Sequence, residues 1–428
     1  MGRVIAMVSD FFYPNVGGVE SHIFQLSQCL LERGHKVVVV THAYGDRVGV
    51  RYMTNMLKVF YLPIVPFYNQ SILPTIFCSL PYLRHIFLTE KVQIVHGHSA
   101  FSSLAHEALM ISTLLGLRSV FTDHSLFGFS DASAIITNTF LKFSLANTSH
   151  SICVSHTGKE NTVLRGSVSP EKVSVIPNAV DSVAFRPESE KRIIGNIVTI
   201  VIGSRLVYRK GVDLVVKIIP KICRQKFQGP DGRKIQINFV IAGDGPKRIL
   251  LEEMIEKHRL QDRVEMLGEL QQNMVRDQLL VRGQIFLNTS LTEAFCMAIV
   301  EAASCGLAVV STAVGGIPEV LPPNMIHFVE PSVSSIERGL VTVIHEVVTG
   351  DTRDPWVANK FVSRAYNWRN VAVRTEAVYE RVSLEDAPNL GRRLRNLWEC
   401  GEVAGPLMAM VYLAAHYFLL FLNWIRPI

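Results

Sequence analysis

The stretch Ile285–Ala302 reads IFLNTSLTEAFCMAIVEA, and it combines the two patterns that decide the fold. Its opening residues, Ile285–Asn288, are mostly apolar and predict a short buried strand. Good helix formers then dominate Ala294–Ala303, so we expect Glu293 near a helix start and Glu301 about two turns inside the helix. A capping acid followed by an exposed acid is the ordinary explanation of such a pair. It suits Glu301 poorly, because that residue stands among Ala, Ile, Val and Cys.

The alternation of strand and helix extends in both directions from this stretch. Short apolar runs separated by segments of helical length predict parallel, doubly wound sheets. The predicted strands of the first half are Val4–Ser9, Lys36–Thr41, Val59–Leu62, Gln93–His96, Ser119–Thr122, Ser151–Val154 and Val173–Ile176. After a polar linker at 182–194, the series restarts with Ile197–Ile202, Ile237–Ile241, Val264–Leu267, Ile285–Asn288 and Ala308–Ser311. We therefore expect an α/β protein with two Rossmann-like domains.

The predicted domains cover 1–182 and 195–355. Closing helices at 356–385, a basic juxtamembrane segment at 386–402 and a transmembrane helix at 403–425 follow them. A chain of 428 residues is too long for one compact core, which agrees with two domains.

Composition narrows the class of protein further. Hydrophobic residues make up 48% of the chain and charged residues 19%, which excludes a disordered or coiled-coil protein. The net charge of +6 is too small for nucleic-acid binding, but it suits an anionic substrate or an anionic lipid surface. The seven cysteines are scattered and form no C-x-x-C, so we expect a reducing, cytosolic environment and no disulfide framework. The apolar run Arg3–Ser9 is too short for a signal peptide.

The segment Val403–Ile425 predicts the membrane anchor. It carries no Asp, Glu, Lys or Arg, and about 20 apolar residues suffice to cross the hydrocarbon layer. Arg392, Arg393 and Arg395 precede it, whereas only Arg426 follows it, so the positive-inside rule places the large N-terminal body in the cytosol. A buried core helix is the alternative. A second apolar segment, Phe67–Leu88, either lies buried in the first domain or rests on the membrane surface.

Two cations follow the first strand of the second half. Arg205 and Lys210 lie in the loop Gly203–Gly211, beside glycines that let a ligand approach the backbone closely. Such a pair can neutralise a departing diphosphate, although a solvated basic turn has the same composition. Glycine turns also follow two other strands, at Gly243–Pro246 and at 315–319.

The first half offers a glycine pair and three histidines at strand ends. Gly17 and Gly18 precede a helix, where free N–H groups can contact phosphate and sugar, but the loop is not a G-x-G-x-x-G motif. The preceding aromatic residues are explained either by loop packing or by contact with lipid; they are Phe11, Phe12 and Tyr13. His96 and His98 could form a metal pair, but no third ligand is apparent near them, and no Asp-x-Asp occurs. We therefore expect no metal. His124 is either a structural residue or a hydrogen-bonding group of the site.

Three motifs together carry a resemblance to a known family. They are Glu-x7-Glu at 293–301, Ser-Arg-Leu-x3-Lys-Gly at 204–211 and Gly-Gly-Ile-Pro-Glu at 315–319. This combination resembles the family-4 retaining glycosyltransferases of the GT-B fold, in which two Rossmann-like domains face each other across a cleft. Four longer segments resemble, nearly word for word, the members that begin the synthesis of GPI anchors; these segments are 7–23, 121–129, 204–211 and 288–306.

The resemblance implies transfer of N-acetylglucosamine from UDP-GlcNAc to phosphatidylinositol, with retention of configuration and without a cofactor. It implies a single-pass protein of the endoplasmic reticulum membrane, within a complex of several subunits. Arg205 and Lys210 would bind the diphosphate, Glu301 the ribose, and Glu293 and His124 would flank the transferred sugar. Further donor contacts are expected from Gly17, Gly18, Gly243, Phe295, Cys296 and Met297. Contacts with the acceptor or the membrane are expected from Phe11, Phe12, Tyr13, His96 and His98. Two other functions stay open, a glycosyltransferase with another lipid-linked acceptor and a noncatalytic nucleotide-binding subunit.

Overall fold

A computed structural model describes residues 2–126, 132–188 and 195–427. The chain divides into two compact units. The first unit comprises Met1–Pro177 together with Trp368–Ile428, and the second comprises Asn178–Asn367. The end of the chain therefore belongs to the unit in which the chain begins. The predicted linker at 182–194 and the segment at 121–129 lie partly outside the described residues.

The strands of both units alternate with helices, as the sequence predicts. Those of the first unit are β1 Val4–Val8, β2 Lys36–His42, β3 Gly49–Met53, β4 Leu57–Leu62, β5 Ile94–His98, β6 Arg118–Asp123, β7 His150–Cys153 and β8 Val173–Val175. Those of the second unit are β9 Ile197–Gly203, β10 Phe227–Gln228, β11 Lys234–Ala242, β12 Val264–Gly268, β13 Ile285–Asn288, β14 Ala308–Thr312 and β15 Ile326–Val329.

The α-helices show where the chain leaves the second unit and returns to the first. They are α1 Gly18–Glu32, α2 Ile76–Thr89, α3 Ser103–Leu114, α4 Ala132–Ala146, α5 His156–Gly166, α6 Val212–Arg224, α7 Arg248–His258, α8 Gln272–Gln278, α9 Met297–Ser304, α10 Val333–Thr349, α11 Pro355–Ala365, α12 Trp368–Leu384, α13 Leu390–Trp398 and α14 Ala404–Ile425. The predicted closing helices at 356–385 thus fall in both units, with α11 in the second and α12 in the first.

Each unit is built on one mainly parallel sheet. The order in the first unit is β3-β4-β2-β1-β5-β6-β7-β8, and only β3 pairs antiparallel. The order in the second unit is β10-β11-β9-β13-β14-β15, with β12 on β11 and an antiparallel β10. Parallel strands need both faces covered, which explains why the central strands are mostly buried, even where they carry polar residues as β5 (IVHGH) does. Because their carboxyl ends meet at one edge, the loops after β9, β11, β13 and β14 share that edge of the second sheet.

Three strands were not predicted from the sequence. β3 (GVRYM) is an edge strand whose side chains are mostly exposed, so it lacks an apolar run. β10 has only two residues, and β15 (IHFV) is short and interrupted by His327. The prediction that a helix begins at Ala294 is also wrong. Cys296 has a left-handed backbone (φ 66°), so α9 begins only at Met297.

The helix α14 ends the described chain. Within the described residues, it is the one helix that is long and apolar enough to cross a membrane, judged by length and composition. One stripe packs on the rest of the first unit through Ala409, Tyr412, Ala415 and Leu419, which are buried. The opposite side is exposed, as at Tyr417 (63%). The helix is therefore neither a fully buried core helix nor free on all sides.

Candidate functional site

The carboxyl edge of the second sheet gathers most of the predicted donor residues. The loop after β9 is joined to the loop after β13, because Leu291 N–H donates to the carbonyl of Arg209 at 2.8 Å. The glycine turn after β14 joins them, because Gly316 N–H donates to the carbonyl of Glu293 at 2.9 Å. Three motifs that are distant in sequence thus form one polar edge.

Lys210 and Glu293 form an ion pair at this edge. The ammonium of Lys210 donates to Oε1 of Glu293, and the hydroxyl of Ser290 donates to the same oxygen at 3.0 Å. The side chains of Lys210 and Glu293 are only 19% and 14% exposed, so water screens the pair weakly. The sequence placed both residues at the site but did not predict that they contact each other.

Glycine is required at two positions of the same edge. Gly211 has φ 70°, and a Cβ there would lie 1.9 Å from the carbonyl oxygen of Thr289. Gly243 has φ 133°, and a Cβ there would lie 1.8 Å from the carbonyl oxygen of Ser204. These close backbone contacts hold the loop that carries Arg205 and Lys210 against its neighbours. The hydroxyl of Thr289 adds to this by donating to the carbonyl of Lys210 at 2.9 Å.

Glu301 lies in the second turn of α9 and is buried, with 7% of its surface exposed. Its Oε1 accepts a hydrogen bond from the side-chain amide of Gln272 at 2.6 Å. Burial raises the pKa of this carboxyl to about 7, and the bond from Gln272 offsets the shift only in part. Because α9 starts later than predicted, Glu301 is closer to the helix start than the sequence indicated. Gln272 is a residue that sequence reasoning missed.

The other predicted donor residues differ in exposure. Arg205 is exposed, and Met297 is partly exposed at the first position of α9. The ring of Phe295 is buried and packs edge-on against Tyr366, with 5.5 Å between ring centroids, so its side chain belongs to the core. Burial, with the charge of Glu293, raises the pKa of the Cys296 thiol to about 12, which leaves a neutral thiol beside the pair.

In the first unit, the histidines form a cluster at the carboxyl ends of β5 and β6. The Nδ1 of His98 and the Nε2 of His124 are 3.4 Å apart, and the His22 ring contacts that of His124 with 4.6 Å between centroids. Burial and the neighbouring imidazoles hold the pKa of His98 and of His124 well below 6.5, so both rings are neutral. His124 is the partly exposed member and can offer a hydrogen-bonding nitrogen at this edge. His98 is fully buried, with Nε2 3.4 Å from the sulfur of Met7, so the contact with acceptor or membrane that was expected of it is not available.

His96 is not available to an acceptor, contrary to the expectation. Its ring is fully buried, and both nitrogens are hydrogen-bonded, Nδ1 to the hydroxyl of Tyr379 at 2.7 Å and Nε2 to that of Thr122 at 2.6 Å. Burial lowers the pKa of His96 to about 3, which keeps the ring neutral. His96 therefore holds α12 against the sheet.

His22 is a further residue that sequence reasoning missed. The ligand nitrogens of His22, His98 and His124 lie within 4.8 Å of one another, so a third imidazole does stand beside the predicted pair. The only signal in the sequence was its place five residues after Gly17. The absence of a metal stays a prediction.

The loop after β1 serves mainly as structure. Phe12 is fully buried, so contact of this ring with lipid is ruled out, whereas Phe11 and Tyr13 are partly exposed. The carboxylate of Asp10 accepts backbone N–H bonds from Ile72, Ser103 and Leu104 at 3.1–3.2 Å. Burial raises the pKa of Asp10 to about 7.

The glycine pair marks the start of α1. The helix begins at Gly18, and the preceding Gly17 provides no side-chain cap. The first N–H groups of α1 are therefore not capped by a side chain of Gly17.

Two families match the chain. The family described as "PIGA (GPI anchor biosynthesis)" matches residues 42–131, and "Glycosyl transferases group 1" matches residues 188–360. The second match covers the loops that carry Arg205, Lys210 and Glu293, and the helix α9 that carries Glu301. The glycosyltransferase motifs therefore lie in the second unit.

Solved glycosyltransferase structures share the fold. Sucrose-phosphate synthase from Thermosynechococcus elongatus has a TM-score of 0.71 at 19% identity, over 89% of this chain and 99% of the other. HepE from Anabaena, solved in complex with UDP, has a TM-score of 0.66 at 16% identity, over 89% of this chain and 100% of the other. At such identities the likeness shows the fold alone, which is GT-B.

Relatives of high identity extend over nearly the whole chain. A phosphatidylinositol N-acetylglucosaminyltransferase subunit of Homo sapiens is 57% identical over 424 residues, which are 99% of this chain and 85% of the relative. The protein of the same name from Arabidopsis thaliana is 52% identical, over 99% of this chain and 92% of the relative. The gpi3 subunit of the same enzyme from Schizosaccharomyces pombe is 48% identical, over 98% of this chain and 90% of the relative. The chain therefore belongs to the PIGA family of phosphatidylinositol N-acetylglucosaminyltransferase subunits.

Proposed function

We propose that this chain transfers N-acetylglucosamine from UDP-GlcNAc to phosphatidylinositol, with retention of configuration, in the first step of GPI-anchor biosynthesis. The observation that carries the proposal is the weakly exposed pair of Lys210 and Glu293 at the carboxyl edge of the second sheet. The family supplies the substrates, because its members are named for this transfer.

The donor half of the reaction is assigned to the second unit. Lys210 and Arg205 bind the diphosphate, and as it departs they stabilise the negative charge that develops on it. The start of α9 adds free N–H groups on the same edge. Glu301 accepts hydrogen bonds from the ribose hydroxyls, and its bond from Gln272 fixes the carboxyl for that task.

Bond making and breaking occur on one face of the sugar. The bond between the anomeric carbon and the diphosphate breaks, and a bond to an inositol oxygen forms on the same face. The hydroxyl proton of inositol passes to a departing phosphate oxygen, so no protein nucleophile and no cofactor are required. Glu293 is assigned to the hydroxyl groups of the transferred sugar. The contact of His124 with that sugar, which the family resemblance implies, stays a prediction.

The setting of the reaction is assigned to the cytosolic face of the endoplasmic reticulum membrane. The apolar helix α14 supports anchoring, and the arginines before it support a cytosolic catalytic body. The names of the relatives as subunits support a complex with further proteins.

The deciding experiment supplies radiolabelled UDP-GlcNAc to the complex in detergent micelles, with and without added phosphatidylinositol. We expect a labelled lipid only with phosphatidylinositol, and loss of the label in Glu293→Ala at unchanged protein level. Label on a dolichol-linked acceptor instead would favour the second lipid acceptor. Full activity of Glu293→Ala would favour a noncatalytic role for the chain.

A further inference from the structure

An apolar cavity lies inside the first unit, apart from the histidine cluster. Its volume is about 230 Å³, and α2, α3, α4, α13 and α14 contribute to its wall. The apolar part of the wall includes Met110, Phe140, Phe143, Leu397 and Met408. A cavity of about 150 Å³ is large enough for benzene, so this one has room for roughly nine carbon atoms. The space fits a section of an acyl chain.

One face of α3 gives the cavity a direction. Ser103, His106, Glu107 and Met110 line it at positions i, i+3, i+4 and i+7, so the wall changes from polar to apolar over about 10 Å. At the polar end, Oε2 of Glu107 and Nδ1 of His106 are buried and have no hydrogen-bond partner within the described residues. Glu107 itself is 4% exposed. A molecule with a polar head and an apolar chain would match this gradient.

Both ends of the cavity point to a membrane lipid. The apolar end reaches Met408 of α14, the helix apolar enough to cross a membrane, and Leu397 of the arginine-rich α13. At the polar end, Ala100 lies two residues after His98, so their Cα atoms are at most about 7.6 Å apart. Phe101 and Phe140 line the cavity and are also 41% and 38% exposed, so the cavity opens beside them.

We infer that this cavity binds one acyl chain of the phosphatidylinositol acceptor and places its head group toward the histidine cluster. The inference rests on the proposed function, because it takes the acceptor from there. It adds a chain-length requirement, since a short chain does not reach Met110 and Met408.

A cavity-filling variant tests the inference. Ser144 lines the cavity on α4, and its hydroxyl donates to the carbonyl of Phe140, four residues earlier. Ser144→Phe fills the space with a ring. Ser383→Phe is the matched control, because Ser383 is an exposed helical serine of the same unit that bonds Tyr379 in the same way.

The assay measures KM for phosphatidylinositol with long and with very short acyl chains, using the intact complex in detergent micelles. Each buried methylene contributes roughly a factor of four, so displacing two of them predicts a rise of about fifteenfold in KM for the long-chain lipid. KM for UDP-GlcNAc and for the short-chain lipid should not change in Ser144→Phe. Equal values for Ser144→Phe and Ser383→Phe would overturn the inference while leaving the proposed function intact. Absence of transfer by the wild type would overturn the function itself.

Photo-crosslinking of the wild type does not depend on activity. Phosphatidylinositol with a diazirine in its acyl chain should label peptides that contain Met110, Phe140 or Met408. Equal labelling by diazirine phosphatidylcholine would assign the cavity to bulk lipid. Absence of labelling by both lipids would mean that something else fills it, such as a segment of another protein of the complex. Each of these two labelling results would overturn the inference. Because the crosslinking uses the wild type, it tests the inference even if Ser144→Phe does not fold.

Discussion

Replacing Lys210 by alanine tests the proposed site most directly. The substitution removes the ammonium that pairs with Glu293, and leaves that carboxylate with the hydroxyl of Ser290 at 3.0 Å as its remaining side-chain partner among the described contacts. It also removes one of the two cations assigned to the leaving diphosphate. Catalysis and stability should therefore both respond, by different amounts.

The two magnitudes follow from the setting of the pair. Loss of one preorganised donor to a developing anion lowers turnover by about 10²–10³, or roughly 3–4 kcal/mol. The pair is 19% and 14% exposed, so it lies between a surface ion pair and a fully buried one. We therefore expect Lys210→Ala to lower the free energy of unfolding by only about 1–2 kcal/mol. The catalytic loss should exceed the loss of stability.

The assay is turnover of radiolabelled UDP-GlcNAc at saturating phosphatidylinositol, with thermal unfolding measured in parallel. Lys221→Ala is the matched control, because Lys221 forms an exposed ion pair with Glu337 in the same unit and should change turnover less than twofold. In the double variant Lys210→Ala/Glu293→Ala, the loss of turnover should be smaller than the sum of the losses of the two single variants, expressed as free energies, because the residues are in contact. Turnover of Lys210→Ala within threefold of the wild type would refute the assignment of Lys210 to the leaving group.

Three further predictions concern pH, backbone and metal. Burial raises the pKa of Glu301 to about 7, and a carboxyl that gains its proton accepts fewer hydrogen bonds. KM for UDP-GlcNAc should therefore rise as the pH falls from about 8 to about 6. In Glu301→Gln, KM should not change over this range. Gly211→Ala should sharply lower the unfolding temperature, since its Cβ would lie 1.9 Å from a backbone oxygen, whereas Gly232→Ala meets nothing and should cost only about 1 kcal/mol of backbone strain. Chelators should leave turnover unchanged, because Arg205 and Lys210 are assigned to the charge of the departing diphosphate and the proposed transfer needs no metal. Turnover lost on chelation and restored by zinc would contradict the absence of a metal and would point to His22, His98 and His124.

The central strands could be predicted because a strand that is buried on both faces needs apolar residues at consecutive positions, which is visible in the sequence. Val4–Val8 is a continuous apolar run, and Ile197–Gly203 is one interrupted only by Thr199; their predicted limits differ from the observed ones by one residue. The edge strand β3 could not be predicted, because its side chains face solvent and carry no pattern. The return of α12 to the first unit was equally hidden, since a helix pattern says that a face is buried but not against which sheet.

The site residues were predictable as types but not as contacts. Glu293, Lys210 and Glu301 stand in recognisable motifs, whereas the pairing of Lys210 with Glu293 depends on neighbouring loops that are about 80 residues apart in sequence. His96 was predicted to be a site residue, but it has a structural role. Its place at a strand end suggested a ligand, but Tyr379 occupies one of its nitrogens from a helix near the end of the chain.

That hydrogen bond has a consequence for biosynthesis. The second unit is continuous in sequence, so it can fold as soon as residue 367 has left the ribosome. The first unit lacks α12, α13 and α14 until those helices have been translated, and His96 has no Tyr379 until then. The half that is made first is thus completed last. Chains that stop at nonsense codons shortly after residue 367 should carry a folded second half beside an unfinished first half, and quality control would recognise them by the latter.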